Sequence, residues 1–129
     1  MSRAYVDTSF LVAVALQEPN WRALRRSIGA AEALYSSELL VAEFLATAAR
    51  ERLSAEATRA ALSPVTVVIA ERTIRPEIER ALAAGRLRGA DLWHVACALY
   101  LTPDPAQLAF LSRDAEQRAV AAKLGFPTP

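Results

Sequence analysis

Three of the four aspartates in this chain stand where a carboxylate could do chemistry. Asp7 interrupts the apolar run AYVDTSFLVAV, Asp91 opens GADLWHVACALYL, and Asp114 follows the apolar piece AFLS in FLSRDAEQ. The fourth, Asp104, lies in TPDPAQ, a proline-flanked turn where Asp is ordinary. Glu43, in SSELLVAEFLATAAR, is a further candidate acid, while the nearby Glu38 reads as a first-turn helix acid with no catalytic part. Gathered in one place, three or four carboxylates repel and raise one another's pKa. A bound divalent cation removes that penalty. Oxygen donors without a Cys/His set favour Mg²⁺ or Mn²⁺ over Zn²⁺, and such an ion activates water and stabilises an oxyanion in phosphoryl chemistry.

A simpler reading exists for each acid. All three aspartates precede or begin expected helices, where carboxylates cap amides and meet the positive end of the helix dipole. Asp114 heads a capping-box pattern with Gln117 three residues on. Against that, Asp7 has Thr8 and Ser9 beside it as uncharged caps, and Asp91 is followed by Leu-Trp, which suggests a site closed to bulk water. A carboxylate in such a place needs a partner charge. Glu43 lies off the centre of the apolar stripe formed by Leu40, Val41, Phe44, Leu45 and Ala48, so periodicity alone makes it a solvated helix acid.

The elements that must position these acids follow from pattern. AYVD reads as a buried strand ending at Asp7. Residues 9–17 read as a helix, and PNWRALRRSIG as a second with Pro19 near its first turn and Gly29 at its end. EALYSS is extended, and Ser37 fits the N-cap of a long helix reaching about Arg52. LSAEATRAAL is a short helix, PVTVVIA the clearest strand, and Pro76 opens a helix to Gly85. GADLWHVACALYL is a helix apolar on nearly every side and therefore buried. QLAFLS is a strand, followed by a helix from Asp114 to Leu124. Strands alternating with helices predict a mostly parallel sheet covered on both faces, in which ligands collect beyond the carboxyl ends of the strands.

The chain has 129 residues, the size of one domain, and 53% of them are hydrophobic, which argues against disorder. No long uncharged apolar run indicates a membrane span, and the N-terminus lacks the order of a signal peptide. The single cysteine, Cys97, has no internal partner and points to a reduced, cytoplasmic compartment. Net charge is +1, but of the 15 basic residues only Lys123 is not Arg. Arg forks onto phosphate as Lys does not; a GC-rich genome would also give this usage.

Other acidic-pocket families fit less well. A phospho-receiver domain needs paired acids after its first strand and a Lys late in its sheet; Asp7 has no acidic neighbour and Lys123 falls inside the last helix. A haloacid-dehalogenase-type phosphatase needs Asp-x-Asp where this chain has Asp7-Thr8-Ser9. GxxxxGK[ST], GxGxxG and GxSxG are absent, and a lone His94 does not support a Ser-His-Asp hydrolase.

Taken in order, YVDTSFLVA, SSELLVAEFLATAAR, LRGADLWHVACAL and FLSRDAEQRAVAAKLGF resemble the PIN-domain family over essentially the whole chain, most closely the toxin ribonucleases of bacterial VapBC-type toxin–antitoxin pairs. No single block is specific, but the set is. The block at residues 53–63 lies outside the matching blocks. The resemblance implies one PIN domain over residues 1–129, an α/β/α sandwich with a central, mostly parallel sheet of four to five strands. It implies that Asp7, Glu43, Asp91 and Asp114 form an acidic quartet for Mg²⁺- or Mn²⁺-dependent cleavage of RNA. Asp7 and Asp91 would hold the metal, with Glu43 and Asp114 completing the set directly or through water. Ser112 stands where Thr is commoner, so a hydroxyl is kept; Thr8 and Ser112 would orient the carboxylates, though Thr8 equally reads as a helix cap. The resemblance also implies a homodimer held inactive by a small antitoxin. A catalytically silent RNA- or protein-binding module, and a metal-dependent phosphatase or DNA nuclease, remain as alternatives.

His94 lies one turn after Asp91 and reads first as a core histidine, second as a group facing the site. Cys97 reads as packing. Trp21 and Trp93 could stack on bases but read better as core or interface. Arg22, Arg25 and Arg26, or Arg86 and Arg88, could meet RNA phosphates or be solvated helix faces or antitoxin contacts; Arg86 and Arg88 are preferred because they precede Asp91.

Overall fold

A computed structural model of the chain describes residues 2–129, and all statements of number or absence below concern those residues. Four strands, β1 (Arg3–Val6), β2 (Ala33–Ser37), β3 (Val65–Val68) and β4 (Ala109–Leu111), form one sheet in the order β3-β2-β1-β4 with every pairing parallel. Seven α-helices connect them: α1 (Thr8–Ala15), α2 (Trp21–Ala30), α3 (Glu38–Arg50), α4 (Ala55–Leu62), α5 (Arg75–Ala84), α6 (Gly89–Leu101) and α7 (Ala115–Lys123). The expected α/β/α sandwich is present, with a sheet of four strands.

The period of two in each strand divides the core. Ala4 and Val6 of β1, Leu34 of β2 and Leu111 of β4 face a cluster completed by Phe10, Leu11, Leu40 and Phe44, against which Leu24, Ile28 and Leu62 pack. That face is covered by α1 to α4. Tyr5 and Phe110 point the other way, among Val95, Ala96, Leu99, Val120 and Phe126, under α5 to α7. Burial on both faces is why AYV and AFL contain no alternating polar residue. Pairing places Tyr5 beside Phe110, and their rings stack with centroids 5.6 Å apart.

From β1 the chain crosses to β2 on one side, while β4 arrives on the other. The crevice beyond the β1 and β4 carboxyl ends is therefore the topological switch point of the sheet, where α/β proteins bind ligands. Asp7 directly follows β1, and its N–H donates to the Leu111 carbonyl at 3.0 Å, which ties the ends of the two strands together.

Several boundaries differ from expectation. Gly29 lies at the end of α2 as expected, but Pro19 precedes a left-handed Asn20 (φ 72°) that starts the helix. The strand expected over QLAFLS is only Ala109–Leu111, because Pro105–Gln107 forms a 3-10 turn. Leu45 was expected in the apolar stripe of α3, yet it is 45% exposed while Leu40, Phe44 and Ala48 are buried. A stripe of i, i+4, i+8 suffices here because α3 meets the core along one narrow seam. Ser37 occupies the N-cap position of α3, but its hydroxyl makes no capping bond; its Oγ is buried without a hydrogen-bond partner.

Gly85 ends α5 in an extended conformation, φ 166°, so its backbone tolerates any residue. Space is the constraint: a Cβ there would lie 2.7 Å from Cγ2 of Val120. Val120 is buried and stiff at χ1, so α7 must shift. Gly85→Ala is expected to cost about 1–3 kcal/mol, read as a lower urea midpoint at unchanged slope; a neutral result would show that α7 moves freely.

Candidate active site

Asp7 is 3% exposed. It is itself the N-cap of α1, with Oδ1 accepting from the Phe10 N–H at 3.2 Å, and Ser9 Oγ donates to the same carboxylate at 2.9 Å. The expectation that Thr8 and Ser9 would relieve Asp7 of capping is overturned. The carboxylate terminates the strand and aims back over the first amides of the helix, so capping and site geometry are one arrangement. No cationic side chain lies within salt-bridge reach of it among the described residues. Burial therefore pushes its pKa up to about 7, and the nearby Asp91 adds to the rise; Ser9, the Phe10 amide and Ser112 oppose it.

Asp91 lies in the first turn of α6. It is partly buried, with Trp93 38% exposed beside it, so the closed surroundings expected from Leu-Trp are not found: Trp93 turns outward while Leu92 packs against the core. Its carboxyl is held above the ordinary range by desolvation first, then by Asp114 and Glu43, with His94 and Arg88 acting in the opposite sense. Those influences report two further acids, Asp114 and Glu43, near Asp91.

Asp114 caps α7, accepting from the Gln117 N–H at 2.8 Å. The second half of the anticipated capping box does not form. Instead the Gln117 side chain, fully buried, donates from Nε2 to the Asp91 carbonyl at 3.1 Å and accepts from Ser112 Oγ at 2.6 Å. Ser112 Oγ in turn lies 3.3 Å from Asp7 Oδ2 and accepts from the Asp114 N–H at 3.0 Å. The single hydroxyl proton serves the shorter bond to Gln117, so Ser112 meets Asp7 only weakly. Ser112 and Gln117 thus stitch the ends of β1 and β4 to the first turns of α6 and α7. The sequence pointed to Ser112 but not to this part for Gln117, whose one signal was its place in the capping pattern.

Glu43 is brought to the cleft by α3, its side chain 37% exposed. Its Oε1 accepts from Thr8 Oγ1 at 2.6 Å and lies 3.1 Å from His94 Nε2. Thr8 is the first residue of α1 rather than its cap. The periodicity argument that left Glu43 in solvent overlooked these two partners, which come from other elements. His94 is buried as expected of a core histidine, but its bonds leave its own helix layer, with Nδ1 2.9 Å from the Tyr5 hydroxyl. Burial holds its imidazole below the usual value, and Glu43 opposes this. A neutral ring protonated at Nε2 would donate to Glu43 and accept at Nδ1 from the Tyr5 phenol, whose own pKa burial raises.

Arg86 and Arg88 are exposed on the segment leading into α6, and Arg88 is its N-cap residue. Arg22, Arg25 and Arg26 are exposed on α2, with Arg22 over the Trp21 ring at 4.8 Å. Cys97 is buried.

In kind, these acids suit a hard divalent cation: every donor is a carboxylate oxygen, and the buried Asp7 lacks a countercharge. In spacing, they stop short of a ligand set. Among the described residues no three His, Cys, Asp or Glu side chains are grouped closely enough to hold a metal ion. Asp7 and Asp114 are each turned onto a helix N-terminus, and Glu43 onto Thr8 and His94. No helix among the described residues is long and apolar enough to cross a membrane.

No curated protein and no solved structure shows significant similarity to the chain. The family model of the PIN domain does match, over residues 4–123, a span that takes in all four acids, the Ser112–Gln117 stitch and all four strands but the first residue of β1; on that match the chain belongs to the PIN domain family.

Proposed function

We propose that this chain is a divalent-metal-dependent endoribonuclease, acting as the toxin of a toxin–antitoxin pair. PIN domains are typically nucleases that use divalent metals and act on nucleic acid, and this chain is a member. The observation that carries the reading is Asp7: a buried carboxylate at the switch point of the sheet with no cation to neutralise it. Asp7 and Asp91 would hold Mg²⁺ or Mn²⁺, with Asp114 and Glu43 completing the set directly or through water. The ion, when bound, supplies charge neutralisation at the phosphoryl oxygens. The chain's own groups do the rest. Ser112 and Gln117 keep the β4 end and the α6 turn in register, Thr8 fixes Glu43, and Glu43 or Asp114 orients the attacking water and accepts its proton. Water oxygen bonds to phosphorus, one P–O ester bond breaks, and the departing oxygen takes up a proton. Arg86 and Arg88, exposed beside the Asp91 turn, would meet RNA phosphates.

A small antitoxin and a second copy of the chain are the proposed protein partners, in the cytoplasm. If a short reading frame adjoins the gene, co-expression with it should yield a stable complex, and the chain alone should run as a dimer.

One observation favours a second reading, a silent binding module: the acids stop short of ligating spacing. Calorimetric titration with Mn²⁺ separates the two. Binding that Asp7→Asn and Asp91→Asn both abolish supports the metal site, whereas no heat, with RNA still retained, supports the silent module. Parallel assays on RNA, single-stranded DNA and p-nitrophenyl phosphate separate a ribonuclease from a DNA nuclease or phosphatase.

A further inference from the structure

Both hydrogen bonds that Glu43 receives converge on one oxygen. Thr8 Oγ1 donates to Oε1 at 2.6 Å, and His94 Nε2 approaches the same atom at 3.1 Å. Thr8 Oγ1 and His94 Nε2 are themselves 3.2 Å apart, closing a triangle. An ionised carboxylate only accepts, so Nε2 must carry the proton. With the ring neutral, Nδ1 is then an acceptor, and the Tyr5 hydroxyl, 2.9 Å away, is its donor. The order Tyr5 O–H to His94 Nδ1, His94 Nε2–H to Glu43 Oε1 runs from the sheet interior to the cleft. Tyr5 and His94 are 0% and 1% exposed, and their rings meet edge to face at 5.9 Å.

Two polar groups so deeply buried cost stability unless each is satisfied, and an apolar pair would fill the same space without that cost. Here every polar atom of the pair is used, and the row ends on a part-exposed acid.

We infer that His94, backed by Tyr5, is a positioning residue that with Thr8 pins Glu43 by Oε1, so that Glu43 acts in the cleft through Oε2 alone. This rests on the nuclease reading, in which Glu43 orients water or completes the metal set. His94 itself touches neither substrate nor metal.

The test uses His94→Leu, His94→Gln, His94→Asn and Tyr5→Phe in the full chain, with Asp7→Asn as the inactive control. Glutamine places an N–H near the Nε2 position; asparagine places one near Nδ1. His94→Gln should keep kcat within a few-fold, while His94→Leu and His94→Asn lose about 10–100-fold with KM little changed. A merely structural histidine would not sort its replacements by which nitrogen they mimic. A second readout needs no activity. In the metal-free protein the Glu43 side-chain carboxyl carbon resonance should move in His94→Leu and stay near wild type in His94→Gln. The sole histidine should show the Nε2–H tautomer by ¹⁵N NMR, and Tyr5→Phe should shift Nδ1.

Wild-type kcat in folded His94→Leu, with Asp7→Asn dead, overturns the inference and leaves the nuclease standing. No cleavage by wild type overturns the nuclease reading, and the resonances then decide on positioning: an unmoved Glu43 carboxyl overturns it, a moved one supports it. Should His94→Leu fail to fold, His94→Asn and Tyr5→Phe separate these outcomes in the same way.

Discussion

Asp7→Asn is expected to stabilise the metal-free protein while removing cleavage. An asparagine keeps an oxygen for the Phe10 N–H, so the α1 cap survives. What it removes is a buried negative charge. In the unfolded chain Asp7 titrates near its ordinary 3.8, and in the folded chain near 7. Between those values the folded state holds the extra proton, so wild-type stability is greatest below pH 4 as far as this group is concerned. It falls as pH rises from about 4 to about 7, and is flat beyond. Above pH 7 the variant should therefore gain on the order of 2–4 kcal/mol, and its stability should lose this part of the pH dependence. Urea unfolding at pH 5 and pH 8 in EDTA measures it: roughly a third of the gain should be present at the lower pH and all of it at the higher. Activity should fall roughly 10³-fold or more, as for removal of a group acting only in the transition state. A variant both less stable and still active would mean that Asp7 is only a cap.

The largest loss of stability is expected from Phe110→Ala. Phe110 is fully buried in β4, stacked on Tyr5 at 5.6 Å and tilted against Phe126 at 5.9 Å. Its N–H donates to the Pro127 carbonyl at 2.8 Å, which holds the C-terminal segment against the sheet edge. The cavity and the lost ring contacts should cost about 3–5 kcal/mol, a large part of the roughly 5–15 kcal/mol that holds a domain folded. Thermal unfolding followed by circular dichroism should show the midpoint lowered by roughly 10–20 °C. The Tyr5 phenol would lose its packing partner, so the His94 Nδ1 bond should weaken as well. A drop of only a degree or two would show that the three rings are not a common core.

Sequence pattern was enough for the layer order, because runs such as AYV and AFL are short, uninterrupted by polar residues and followed by helix starts, which reads as strands buried on both faces. It also marked Asp7, Asp91 and Asp114, since each sits where an apolar element meets a helix start. It set capping against chemistry as rivals; Asp7 and Asp114 are caps, and both also lie just beyond the carboxyl ends of β1 and β4. Glu43 was legible only through the family resemblance. Its partners Thr8 and His94 lie 35 and 51 positions away, and no single-helix periodicity can reveal bonds between helices. Gln117 was hidden for the same reason, as its side chain bonds to the backbone of Asp91, 26 positions distant. Leu45 was misplaced because an apolar residue on a helix need not face the core.

The central claim is that the acids at the switch point cut RNA with a divalent ion. The most direct measurement is incubation of a mixed cellular RNA pool with purified, partner-free protein in Mg²⁺ or Mn²⁺, against EDTA and against Asp7→Asn, with product ends sequenced. The account predicts cleavage at defined positions that both EDTA and the substitution abolish. Intact RNA from folded wild-type protein, or cleavage that survives in Asp7→Asn, would contradict it.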